Sequence, residues 1–238
     1  MKSKIHLLVG LAVMISSCSN DDDTVKKIDS HVVNYDFSTN AEGWEGHFAD
    51  YPVGEEDFYE LQFNHSPLPE PLDQNQKSLK QSGNNHSDDL FMYIKKKISG
   101  LRANQVYDVT FTVEVATNAA SNSFGAGGSP ASSVVIKAGA TTIEPKKEVD
   151  DLDHYRMNID IGSQVSSGDD MLVIGDFSNG LEENIYKLKT LTNESSFTVT
   201  TDENGEVWAI VGTDSGFEAT TTIYYNKIAI EFEPINSK

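Results

Sequence analysis

The feature that most limits what this chain can become is strict period-two alternation of apolar and polar residues. From Asp108 onward, Val109, Phe111, Val113 and Val115 fall on one parity, and Asp108, Thr110, Thr112 and Glu114 on the other. Side chains of an extended strand alternate between its two faces, so this predicts a strand with one side on a core and one in water. Val33, Tyr35 and Phe37 against Val32, Asn34 and Asp36 repeat the pattern near the start. Met171 to Gly175 and Val207 to Val211 are apolar on both parities, as central strands covered on two sides would be, and Trp208 belongs to the core on this reading.

Further strands are expected at Trp44 to Phe48, Phe58 to Phe63, Leu90 to Ile98, Val134 to Lys137 and Tyr155 to Ile161. Asn204-Gly205, between Phe197–Thr200 and Val207, predicts a hairpin, because both residues tolerate positive φ. In Thr220 to Glu233 the apolar parity changes between Tyr225 and Ile228, which predicts a bulge near Asn226-Lys227. The run Lys95-Lys96-Lys97 reads as a solvated edge. About ten strands and no convincing helix outside the leader make the fold class all-β, a sandwich or a barrel. Residues 31–238 form one domain, with no repeat or linker dividing them.

The leader itself is Met-Lys-Ser-Lys followed by an apolar run from Ile5 to Ile15, about half the roughly 20 residues needed to span a bilayer. Residues 1–17 therefore read as a cleavable signal peptide. Ile15-Ser16-Ser17-Cys18 resembles the lipobox of bacterial lipoproteins, and that resemblance implies that Cys18 carries lipid. A lone cysteine in an exported chain asks for such an explanation, and without a second one no internal disulfide can form. Residues 18–30, opening with Ser19 and the acids Asp21 to Asp23, read as a flexible tether. They look like the export tag of surface-displayed lipoproteins, which implies the outer membrane and its outer face. Loss of Lys2 and Lys4 with the signal takes the formal charge from −19 to −21. So acidic a chain repels phosphate backbones and anionic headgroups, which excludes nucleic acid and leaves the lipid as its contact with the membrane.

Two segments carry a second resemblance. Tyr35-Asp36-Phe37-Ser38 leading to Gly43-Trp44, and Ile223-Tyr224-Tyr225-Asn226-Lys227-Ile228-Ala229-Ile230, look like carbohydrate-binding modules of the galactose-binding-like jelly-roll kind. The resemblance implies an antiparallel β-sandwich of jelly-roll type with paired first and last strands, a sugar ligand and a structural calcium near that junction. Asp36, Ser38 and Asn226 stand at the implied calcium positions, with Ser38 and Asn226 where the family more often has carboxylates.

Sugar recognition needs an aromatic face together with acids, amides or histidine. Trp44, His47, Tyr51, Asp57 and Tyr59, around Gly54, supply that mixture and are the candidate ligand-binding residues; the competing reading puts Trp44 and Phe48 in the core and the acids in a solvated loop. Calcium could also meet carboxylates at Asp88-Asp89, Asp150-Asp151-Leu152-Asp153 or Asp169-Asp170, although none has the spacing of an EF-hand loop. No HExxH or G-x-S-x-G occurs, and the glycine-rich stretch 121–133 lacks the lysine of a phosphate loop, so it reads as a surface loop. The expected function is non-enzymatic binding of glycan or another extracellular ligand. A polysaccharide hydrolase or lyase and a structural or adhesive surface protein are the rivals. Two carboxylates at catalytic separation would mark the enzyme, and an exposed aromatic platform the binder.

Overall fold

The computed structural model describes residues 30–86 and 89–235. The signal, Cys18, the tether up to residue 29 and Asp88 lie outside them. The described residues hold two antiparallel sheets packed face to face, with no helix. One sheet has seven strands: β1 (His31–Asp36), β4 (Gln62–Pro67), β5 (Lys77–Asn84), β7 (Val106–Thr117), β12 (Lys187–Thr192), β13 (Thr198–Thr200) and β15 (Thr220–Pro234). The other has five: β2 (Glu45–Ala49), β6 (Leu90–Ile98), β8 (Val134–Thr141), β11 (Met171–Asp176) and β14 (Val207–Ser215). A small third sheet, β3 (Tyr51–Pro52), β9 (Lys147–Val149) and β10 (His154–Met157), lies off the sandwich.

Alternation does what it predicts. Val109, Phe111, Val113 and Val115 of β7 meet Ile223, Tyr225, Ile228, Ile230 and Phe232 of β15 in one buried core, with Phe37, Trp44, Met92, Ile136 and Val211. Strand β15 binds β7 along one edge, while β5 and then β1 occupy the other. The register with β7 slips between Tyr225 and Lys227, which is the bulge expected there and lets both apolar parities reach one core. First and last strands pair antiparallel, His31 opposite Phe232 and Asp36 opposite Lys227.

Five expectations are corrected. Among the described residues the strand elements number fifteen rather than about ten, because β9, β12 and β5 carry little apolar alternation. The Asp202–Gly205 turn forms, with Asp202 accepting the Gly205 and Glu206 N–H groups, yet β13 pairs with β7 and β14 with β6 and β8. It therefore carries the chain between sheets instead of closing a hairpin. Gly205 is required there, since its φ is +71° and a Cβ would lie 2.1 Å from the Leu101 carbonyl oxygen. Strand β11 is covered on both faces but stands at the sheet edge, and Trp208 sits half-buried on the outer face between Lys95 and Lys97, 5.0 and 5.6 Å from its ring. The three lysines lie on an interior strand, and Lys95 is only 4 % exposed, bonded to Glu144 and to the Pro145 carbonyl.

The two outer faces differ. Residues 142–170 fold back over the five-stranded sheet, where Ile159, Ile161, Met171, Ile210, Phe91 and Tyr93 form a second small core. On the seven-stranded sheet only one end is covered, by Leu68, Leu72, Tyr186 and Leu188 over Ala116 and Tyr224.

Candidate functional site

Alternation disperses the residues expected to meet a ligand. Trp44 and His47 are three positions apart along an extended segment and so face opposite ways. Trp44 is 2 % exposed, edge-on to Tyr35 and Phe37 in the core, and offers no face to a sugar. His47 lies outward, stacked on Tyr93 at 5.5 Å, and burial together with Lys95 holds its pKa below the usual histidine range. Tyr51 and Tyr59 are buried against each other. The Tyr51 hydroxyl bonds Glu56 and Lys147, and burial pushes its pKa up. Asp57 is exposed beside Phe58, whose ring stacks on His86 at 4.0 Å and stays 57 % exposed. These residues do not form one site.

The implied calcium positions do not fit a calcium shell as they stand. Asp36 Oδ1 accepts the Ser38 N–H, the Ser38 hydroxyl and then this N–H lower the Asp36 pKa, and Asn226 turns its amide nitrogen to Glu114 Oε1 at 2.6 Å. Among the described residues no three carboxylate, histidine or cysteine side chains converge closely enough to hold a metal ion. Asp150 and Asp202 are spent on the N–H groups of their own turns, Asp160 on those of Gly162 and Asp169, and Asp170 on that of Asp160.

What the register does assemble is a groove on the open face of the seven-stranded sheet, with a volume of about 450 Å³. Two rows of outward side chains cross four strands. One row is Asp36, Lys227, Glu114 and Thr190; the next is Asn34, Ala229, Thr112 and Thr192. Ala229, short between longer neighbours, deepens the floor. Lys227 Nζ lies 4.0 Å from Asp36 and 3.8 Å from Glu114, and the Thr112 and Thr192 hydroxyls are 3.3 Å apart. Donors and acceptors thus alternate within a few ångströms, as a ligand whose every hydroxyl both donates and accepts requires.

A second, smaller concavity of about 240 Å³ opens between the five-stranded sheet and the segment covering it. Asp50, at the bend between β2 and β3 with φ +61°, and Asp89 both accept from Arg156 Nη1, at 3.1 and 2.8 Å. Asp150 takes Arg156 Nε at 3.4 Å. Burial, reinforced by Asp89, pushes the Asp50 pKa up to about 7 against the opposing pull of Arg156. Beneath it Lys137 and Asp214 form a fully buried ion pair at 2.8 Å. Burial raises the Asp214 pKa, with Lys137 working the other way.

Sequence reasoning missed both concavities. The polar parity of Asn34, Asp36, Thr112 and Glu114 was visible, but which strands lie side by side is non-local. Arg156, one of only two arginines in the chain, was the available pointer to the second.

No protein-family model matches the chain, and no curated protein does. Among solved structures it is similar to the enzymatically active domain of tailspike protein 4 of bacteriophage CBA120, at 8 % identity and a TM-score of 0.35, covering 81 % of this chain and 19 % of that one. It is similar to a carbohydrate-binding module whose structure concerns specific mannan recognition, at 10 % identity and a TM-score of 0.40, covering 86 % and 99 %. It is also similar to the K1 cleaved adhesin domain of Lys-gingipain from Porphyromonas gingivalis, at 10 % identity and a TM-score of 0.35, covering 84 % and 97 %.

Proposed function

We propose that the chain is a non-enzymatic module that binds glycan in the groove across β1, β15, β7 and β12, and that a lipid on Cys18 holds it at the outer membrane. The observation that carries the ligand reading is the asymmetry of the two outer faces: one sheet is roofed by its own chain, and the other presents two rows of carboxylate, amide, hydroxyl and ammonium groups to solvent. A preformed concavity lined by convergent polar groups is the usual setting for a small polar ligand. One of the similar structures is a carbohydrate-binding module with specific mannan recognition, a ligand of the same class. The reading of Cys18 rests on the leader pattern alone.

Screening residues 31–238 on a glycan array, with and without calcium, is expected to give binding to a defined glycan class that calcium leaves unchanged. Lys227→Ala, whose ion pairs are long and half-exposed, is expected to weaken that binding roughly tenfold by removing a charged donor, with little change in thermal stability. Silence across the array would move the protein to the structural reading. Turnover of a polysaccharide would move it to the enzyme, with Asp50 and Asp89 as the first pair to replace. For the anchor, Cys18→Ala is expected to abolish acyl-chain labelling of the exported chain, and persistent labelling would remove the lipid from the account.

A further inference from the structure

The groove on the seven-stranded sheet carries a charge pattern that bears on which glycans it admits. Among the described residues lining it the charged groups are Asp36, Glu114 and Lys227, two carboxylates to one ammonium. Register sets them in one row on adjacent strands, with Asp36 and Glu114 each directly opposite Lys227. Lys227 Nζ therefore stands between the carboxylates, 4.0 Å from Asp36 and 3.8 Å from Glu114, and all three side chains are partly exposed. Each carboxylate is also held by a donor of its own: Asp36 Oδ1 takes the Ser38 N–H, and Glu114 Oε1 takes the Asn226 amide. The nearby Lys189, on β12, does not restore the balance, because its ammonium is turned to Asp176 and to the Ser178 carbonyl. Beyond Ala229 the same outward parity brings Glu231, then Glu233 opposite Asp108.

A sugar hydroxyl suits this row, since it can donate to either carboxylate and accept from Lys227 at once. The carboxylate of a uronic acid or a sulfate ester only accepts. To reach Lys227 it must come within a few ångströms of two like charges, which already match the ammonium twice over. Ion pairs this exposed contribute little to folding, so the arrangement matters for what it keeps out.

We propose that Asp36 and Glu114 are specificity-determining residues of the groove: by masking Lys227 they admit glycans without acidic groups and turn away uronic-acid and sulfated ones. The proposal rests on the glycan reading and gives the two carboxylates a role within it.

The full chain is titrated by calorimetry with mannan, xylan, galactan and β-glucan, each beside a sulfated derivative of the same polymer. Salt is held at about 0.15 M, where charges more than about 8 Å apart are largely screened. The readout is the ratio of the two affinities. The parent is expected to favour the neutral polymer about tenfold or more, the size of two exposed charge contacts together. Asp36→Asn with Glu114→Gln keeps both hydrogen-bond acceptors, and so the local fold, and is expected to shift the ratio about tenfold toward the sulfated polymer. Asp36→Asn alone is the second variant, with a shift of about threefold. Adding Lys227→Gln to the double variant is expected to cancel its shift, because the unmasked cation is then gone. Glu55→Gln with Glu203→Gln removes the same charge from exposed turns outside the groove and is expected to move the ratio less than about twofold.

A parent that binds sulfated polymer as well as neutral overturns the proposal, as does an unmoved ratio in the double variant. An equal shift in the turn control overturns it too, by reducing discrimination to net charge only. In those three cases binding persists and the glycan reading stands. Failure to bind any polymer of either kind would remove the glycan reading itself, and the proposal with it.

Discussion

Exchanging Lys137 for methionine is expected to cost about 3–5 kcal/mol of folding stability, the penalty typical of breaking a buried ion pair from one side. The side chain is 0 % exposed, and its ammonium donates to Asp214 and to the Ile161 carbonyl, both at 2.8 Å. Without it Asp214 keeps a buried carboxylate in the concavity lined by Ile159 and Ile161, and must either hold a charge with no ion partner or take up a proton. A domain of this kind has about 5–15 kcal/mol in total, so the loss consumes much of its margin. Because a buried pair is often no more stabilising than an apolar pair of equal volume, Lys137→Met with Asp214→Leu is expected to recover most of the loss. Urea unfolding of the two single variants and the double variant measures this directly. A single variant within about 1 kcal/mol of the parent would mean that the pair contributes little.

The second large effect concerns pH. Asp50 titrates near 7 in the fold against an ordinary value of 3.8, so between those limits the folded chain binds a proton that the unfolded chain does not. Stability from this group is fully present below about pH 4 and is lost as pH rises through 7. Going from pH 5 to pH 8 crosses about two units of that window, equivalent to roughly 2–3 kcal/mol of stability lost. His47, whose pKa is lowered by burial and by Lys95, works in the opposite sense below its usual range. The carboxylates held low, such as Asp36, Asp150 and Asp202, act only at pH values below this window. The diagnostic measurement is therefore the difference between parent and Asp50→Asn. The variant is expected to be the more stable of the two at pH 8, with the gap closing toward pH 5. Parallel profiles would show that Asp50 is ionised throughout.

How far the chain could be read in advance depended on whether a feature was local. Alternation along β7 and β1 showed which parity faced the core, and the parity change after Tyr225 located the bulge, because each is a property of a single strand. The turn at Asn204-Gly205 was equally local and equally visible, but its consequence was not: two strands flanking a tight turn may pair or may part into different sheets, and here Val199 joins β7 while Val207 joins β6. Trp208 shows the same limit, since apolar neighbours on both parities did not reveal that two lysines of the next strand would flank its ring on the outer face. The residues expected around Gly54 were chosen by composition, and strand geometry then sent Trp44 inward and His47 outward. Asp36, proposed as a cation ligand, does line the groove, beside Lys227. Its groove partners Glu114 and Thr190 come from strands more than 70 residues further along the chain.

The antiparallel zipper between β1 and β15 has one more implication. His31 enters opposite Phe232, at the pole where Ile235 also bonds Val106, whereas Asn85, Ser133 and Phe217 bond one another's segments at the far pole. Anything joined to the chain ahead of residue 31 or after Pro234 therefore emerges from one side of the molecule. A leash at that side holds the opposite rim, where Asp89 and the 121–133 loop lie, farthest from whatever surface the leash is fixed to, and leaves the flank bearing Asp36, Lys227 and Glu114 approachable from the side.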